Sequence, residues 1–191
     1  YKKHSEMNVQ LIEQQYQKAK SSPSDINEHL DTLYQYAKQC NHVTELGVRS
    51  VVATWAFLKG APVYRGYDMF EHPNMKIIPT IHDDAKVIIA DVLDVDIEPT
   101  DFLFIDTFHT YSQLKRELER HANKASKYIG FHDTFTYANV GEQPYEGMGG
   151  KGVDCGKGLA PAISEFRMNN PEWKVAYRTE KNNGLTILEK K

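Results

Sequence analysis

Apolar residues recur at two different periods along this chain, and the change of period marks its organisation. From residue 5 to about residue 20, Val9, Leu11, Ile12 and Tyr16 fall near one helical face while glutamines and lysines fill the rest, which predicts a helix. Ser21-Ser22-Pro23-Ser24-Asp25 breaks it, and Leu30, Leu33, Tyr34 and Ala37 then predict a second helix running to about Cys40. Beyond this point short β-branched or apolar runs take over, at 42–46, 63–67, 87–90, 102–105 and 128–131. Several lack in/out alternation, as expected of parallel strands covered on both faces. Between them, 50–58 and 111–127 carry helical patterns, the second with Leu114, Leu118 and Ala122 or Ala125 toward the core. Strands alternating with helices predict an α/β fold with a right-handed, doubly wound sheet. Residues 159–168 read as a last helix, and two strands at 173–177 and 185–188 flank Asn182-Asn183-Gly184, a strong turn signal. The expectation is a seven-stranded sheet, mostly parallel with an antiparallel last strand, preceded by two extra N-terminal helices.

With 191 residues, 40% hydrophobic and 26% charged, the chain suits one globular domain, 1–191. It divides into N-terminal helices (1–40), a core (41–133), a loop (134–158) and a final helix with two strands (159–191). The net charge of −3, with basic residues scattered among acids, gives no footprint for a phosphate backbone, so nucleic acid is not an expected partner. The longest apolar run, 51–58, is interrupted by Thr54 and falls short of the ~18 residues of a membrane span. The early charges of the N-terminus do not read as a signal peptide. Cys40 at a helix end and Cys155 in a glycine-rich loop fit a reducing, cytoplasmic setting rather than a disulfide scaffold. A homo-oligomer is left open.

The first strand carries the most specific chemistry. Val43-Thr44-Glu45-Leu46-Gly47-Val48-Arg49-Ser50 is a strand ending in an acid and a glycine, followed by an expected helix start at Ser50. Gly47 lets backbone pass close to a ligand, and the helix would offer free N–H groups. Glu45 places negative charge where a pyrophosphate would be repelled, so the loop suits a ligand with an amino group and a sulfonium better than a dinucleotide. Twenty-three residues on, the next strand ends at Asp68, where an acid accepts hydrogen bonds from ribose hydroxyls. A third ends at Asp91, and Val92 and Leu93 add two apolar contacts for an adenine. A lone acid at a strand end is as readily a solvated cap; three at successive strand ends form a constellation.

The stretch 42–55, the Asp68 position, and Phe102-Leu103-Phe104-Ile105-Asp106 with Phe131-His132-Asp133-Thr134 resemble the small-molecule class I S-adenosylmethionine-dependent methyltransferases. The resemblance is strongest to the group of sugar and natural-product O-methyltransferases and cephalosporin-hydroxylase-like proteins. It covers residues 40–135 well and the tail loosely. It implies a Rossmann-like fold, with Glu45 and Gly47 by the methionine part of S-adenosylmethionine, Asp68 by the ribose and Asp91 by the adenine. One departure is that the family's loop usually has a second glycine near the position held here by Val51.

At the chemical end, Asp106 follows the fourth strand and His132-Asp133 the fifth, on one sheet edge. Adjacent strands lie about 4.8 Å apart, so these residues could share a divalent cation such as Mg2+, which would orient an acceptor hydroxyl and lower its pKa. His109, three residues beyond Asp106, is then the expected general base. The similar metal-dependent O-methyltransferases imply the same ligands, Asp106, His132 and Asp133, although a histidine stands where many of them have an acid. The bland alternative is that Asp106 caps the next helix and His132 packs against the sheet. His121 is expected on an exposed helix face, and His72 and His82 in solvated connections. The stretch 147–158 fails the phosphate-loop pattern; it reads as a lid beside the acceptor, with Tyr137, Tyr145 and Met148 in reach, or equally as a surface loop.

The expected activity is methylation of a hydroxyl on a small polar or sugar-containing acceptor, the sugar resting on resemblance alone. A nicotinamide-dependent oxidoreductase would need a Gly-x-Gly-x-x-Gly loop, and the chain has a single glycine beside Glu45. A third reading is a donor-binding module without catalysis.

Overall fold

The computed structural model describes residues 2–144 and 156–191, with side chains from Asn8 onward. Helices α1 (Lys2–Ser21) and α2 (Leu30–Ala37) precede the first strand, as the periodicity predicts. The sheet contains β1 (His42–Leu46), β2 (Val63–Asp68), β3 (Ala85–Ile89), β4 (Thr100–Ile105), β5 (Ala125–His132), β6 (Trp173–Thr179) and β7 (Leu185–Lys190). Their order is β3-β2-β1-β4-β5-β7-β6; the first five are parallel, and β7 runs antiparallel to both β5 and β6. The order reverses between β1 and β4, and the carboxyl ends of strands at such a switch point form a ligand crevice.

Helix α3 (Thr54–Gly60), the short α4 (Ile78–Ile81), α5 (Tyr111–His121) and α6 (Leu159–Asn169) complete the layers. Alternate residues of β4 feed two cores: Phe102 and Phe104 pack with Leu30, Leu33, Phe57 and Tyr64, whereas Leu103 and Ile105 pack with Leu114, Leu118, Ile129 and Phe131. Both faces are thus dry, which explains why the strands read as apolar runs. No helix among the described residues is long and apolar enough to cross a membrane.

One expectation is corrected, and one long-range tie is added. The helix after β1 begins at Thr54 rather than Ser50, because Arg49 (φ +50°) and Val51 (φ +67°) adopt left-handed backbone that an α-helix cannot include. The segment between α1 and α2 is fastened to the β6–β7 turn. Asn182 accepts from the Glu28 N–H at 3.1 Å and donates to the Ser24 carbonyl at 2.9 Å, and Asn183 donates to the Asp25 carbonyl at 3.0 Å. This brings Asp25 to the carboxyl edge of the sheet.

Candidate active site

The turn after β1 is organised from β2. Oδ2 of Asp68 accepts the backbone N–H of Val48 at 3.0 Å and of Arg49 at 2.8 Å, and Oδ1 accepts that of Phe70 at 2.9 Å. Successive N–H groups around a left-handed residue make an anion-binding nest. Here the protein's own carboxylate fills it, so no phosphate can use it. A carboxylate offers about four acceptor positions, of which Asp68 commits three to these N–H groups. Gly47 (φ +91°) is required for another reason than ligand approach: a Cβ there would stand 2.0 Å from the Asp106 carbonyl oxygen.

Glu45 does not carry the full negative charge expected of it. It is buried, and its Oε2 accepts from Thr54 Oγ1 at 2.6 Å and Tyr64 OH at 2.5 Å. Burial pushes the carboxyl up to about 8 despite those two donors, so at neutral pH it is mostly protonated and supplies no full negative charge. It faces a separate cavity of about 20 Å³ shared with Gly47 and Arg49.

The cleft at the ends of β1, β2 and β4 is a cavity of about 170 Å³. Asp91, Val92 and Leu93 form one wall, Asp68 with the exposed Met69 and Phe70 the rim, and Gly47, Asp106 and Thr107 the inner end. Oδ1 of Asp91 accepts the Leu93 N–H at 2.9 Å, which fixes the turn that presents Val92. His121 backs this wall: it is fully buried, not exposed, and its Nε2 lies 2.6 Å from the Val92 carbonyl. Ser50 is exposed and lines the small cavity beside Glu45 rather than this cleft. His72 and His82 are half-buried rather than solvated, the first capping the turn at Asn74 and the second meeting the Ala61 carbonyl at 3.1 Å.

Beside the cleft, the ends of β4 and β5 converge on one imidazole. Nε2 of His109 lies 3.0 Å from Asp106 Oδ1 and 3.0 Å from Asp133 Oδ2, while Nδ1 lies 2.8 Å from Glu142 Oε2. The Tyr137 ring stacks on the imidazole at 5.0 Å. Burial opposes charge on His109, but the three carboxylates outweigh it and raise its pKa well above the ordinary value. Burial likewise opposes ionisation of Asp106 and Asp133, and the two histidines reverse this, holding both carboxyls below the usual range. The ring thus stands between three carboxylates, at the place where the sequence expects the general base.

His132 is fully buried, its Nε2 3.1 Å from the Asn182 carbonyl that also meets His29 Nε2 at 3.0 Å. Its Nδ1 approaches Asp133 Oδ2 at 3.1 Å and Asp106 Oδ2 at 3.4 Å, yet without hydrogen-bond alignment, and so stands as a buried nitrogen lacking a partner. Burial opposes its charge and the two carboxylates overcome this, raising the ring to about 10. The bland reading of Asp106 does not apply, since Thr110 caps α5 by accepting from the Gln113 N–H at 3.3 Å.

Among the described residues, the group whose ligand atoms lie within 4.8 Å of one another is Asp106, His109 and Asp133. His109 joins the two expected acids in this group, and the expected ligand His132 stands beside them with Nδ1 3.1 and 3.4 Å from the same carboxylates. A single N–H cannot point at two carboxylate oxygens at full strength, whereas a cation can bind both, so the donor set fits a divalent ion. Sequence reasoning missed Glu142, Arg49 and Asp25. Glu142 carries no motif, and only its position in the loop after β5 hints at a role. A second cavity, of about 430 Å³, opens on His109 and Asp133 between Asp25, Arg49, Thr136 and Tyr137. Tyr145, Met148, Cys155 and most of the expected lid lie outside the described residues.

No protein-family model matches the sequence, and neither does any curated relative. Solved structures do match. The S-adenosylmethionine complex of the O-methyltransferase TomG from Streptomyces achromogenes superposes with TM-score 0.60 at 11% identity, over 96% of this chain and 89% of that one. The fold is that of the class I methyltransferases. The S-adenosylhomocysteine complex of the N-methyltransferase NodS from Bradyrhizobium japonicum gives 0.61 at 10% identity over 96% and 98%. The S-adenosylhomocysteine-bound methyltransferase PaMTH1 from Podospora anserina gives 0.56 at 15% over 94% and 87%. The expected Rossmann-like architecture, with its antiparallel last strand, therefore holds along nearly the whole chain.

Proposed function

We propose that this protein is an S-adenosylmethionine-dependent O-methyltransferase acting on a small polar acceptor such as a sugar hydroxyl. The observation that carries the reading is the adjacency of two cavities on one sheet edge. A cleft with acids and an apolar wall suits a sulfonium nucleoside, and a polar cavity around His109 and Asp133 suits a hydroxylated acceptor, the two sharing Arg49 and Thr107 as lining. The acceptor cavity, about 430 Å³, is of small-molecule size. In the reaction the methyl carbon leaves sulfur, whose bonding pair stays on S-adenosylhomocysteine, and bonds to the acceptor oxygen, while the hydroxyl proton passes to water in the polar acceptor cavity. The donor is already activated, so the chain's contribution is alignment across the shared boundary.

Asp106, His109 and Asp133 would hold a divalent cation, and an imidazole ligand favours a transition ion such as Mn2+ over Mg2+. Bound there, it would supply Lewis-acid polarisation of the acceptor oxygen. Glu142, on the far nitrogen of His109, fixes the ring so that Nε2 faces the site. The test is transfer of label from S-adenosyl-[methyl-14C]methionine to a panel of sugars and glycosides, with Mn2+ or with chelator. Transfer that needs Mn2+ and is lost in Asp106→Asn supports the proposal; label that stays on the donor with every acceptor contradicts it.

A further inference from the structure

Three cavities run along the carboxyl edge at β1, β2 and β4: the donor cleft, the acceptor cavity and the small space beside Glu45. Arg49 lines all three and, among the described residues, is the one lysine or arginine that does. Asp25 shares two of them, and Arg49 Nη1 lies 2.8 Å from its Oδ2. Both side chains are open to water, at 59% and 40% exposure, so the pair holds itself together only weakly.

We propose that Arg49 and Asp25 are the receptor for the α-amino-acid end of the methyl donor, Arg49 taking the carboxylate and Asp25 the ammonium. The assignment rests on the functional reading above. The donor's adenine belongs at the Asp91–Leu93 wall, and its sulfur must reach the boundary with the acceptor cavity. Its amino-acid end therefore lies beyond Gly47, where Arg49 and Asp25 stand. The charges match as a set. The two side chains satisfy each other at 2.8 Å, and a zwitterion would replace both contacts at once, leaving neither charge unpaired; a simple anion would strand Asp25.

The backbone is arranged for this purpose. Arg49 is held at φ +50° because Asp68 accepts its N–H and that of Val48, so the acid expected beside the ribose also aims the arginine. Strain of this kind persists where surrounding structure fixes it. Asp25 is fixed in turn by the bond from Asn183 to its carbonyl.

The test compares three nucleosides by calorimetry: S-adenosylhomocysteine, 5′-methylthioadenosine, which lacks the amino-acid end, and S-(5′-deoxyadenosyl)-3-thiopropylamine, which lacks only the carboxylate. Arg49→Gln is expected to weaken S-adenosylhomocysteine about tenfold or more while leaving the other two within about twofold of wild type. Asp25→Asn should weaken both amine-bearing ligands and spare methylthioadenosine. Arg49→Lys, keeping the charge, should retain most of the affinity. Equal losses on all three nucleosides would overturn the assignment in favour of a structural role, and unaltered S-adenosylhomocysteine binding would give Arg49 to an acceptor anion. A wild-type chain that binds none of the three overturns the functional reading as well, which separates that failure from this one.

Discussion

Asp68→Ala tests how far the donor cleft depends on one carboxylate. The substitution removes the acceptor for three backbone N–H groups, those of Val48, Arg49 and Phe70, at 3.0, 2.8 and 2.9 Å. A hydrogen bond contributes about 1 kcal/mol net, so the loss is about 3 kcal/mol. For a chain of 150–250 residues each kcal/mol moves the melting temperature by about 2–4 °C, which gives a fall of about 6–12 °C. Asp68→Asn keeps one carbonyl acceptor but no second one, and should fall between wild type and alanine. Thermal unfolding followed by circular dichroism reads all three proteins. An alanine variant melting within about 2 °C of wild type would refute the idea that Asp68 organises the turn.

Other outcomes follow from the buried groups. The Glu45 carboxyl, raised to about 8, stays protonated in the folded chain at pH values where the unfolded chain has released its proton. Stability should therefore decline as pH rises from about 4.5 to 8, and Glu45→Gln should flatten that slope in urea titrations by up to about 1.4 kcal/mol per pH unit. A slope unchanged by the substitution would place the titration elsewhere. Glu142→Gln should weaken Mn2+ binding about 10- to 100-fold without lowering the melting temperature much, because Glu142 orients a ligand rather than coordinating; equal affinity in a Mn2+ titration would remove that role. His121→Leu leaves the Val92 carbonyl without its partner at 2.6 Å, and should cost about 1–3 kcal/mol in denaturant unfolding.

The sequence was most readable where local pattern and final environment agree. The run 42–46 is bounded by Asn41 and Gly47 and forms β1 with those limits. Asp68, Asp106 and Asp133 could be placed on one edge because parallel strands align their carboxyl ends. What local pattern missed was decided by distant partners. The helix after Gly47 starts late because an acceptor on β2 holds two N–H groups of the turn in place, and nothing in 48–53 announces this. The state of Glu45 depends on Tyr64 and Thr54, whose burial around it appears only in three dimensions. His121 ranks as surface by helical period, yet the segment after β3 folds over it and carries Val92 to its ring. Asp25 reaches the site through Asn182 and Asn183, on a turn more than 150 residues away.

The central claim is that the crevice between β1, β2 and β4 is built for a sulfonium nucleoside. Calorimetric titration of the cation-free protein with S-adenosylhomocysteine, with NADH in a parallel run, addresses it directly. Saturable one-to-one binding of S-adenosylhomocysteine, weakened in Asp68→Ala, and no heat from NADH are expected. Saturable binding of NADH with none of S-adenosylhomocysteine would contradict it.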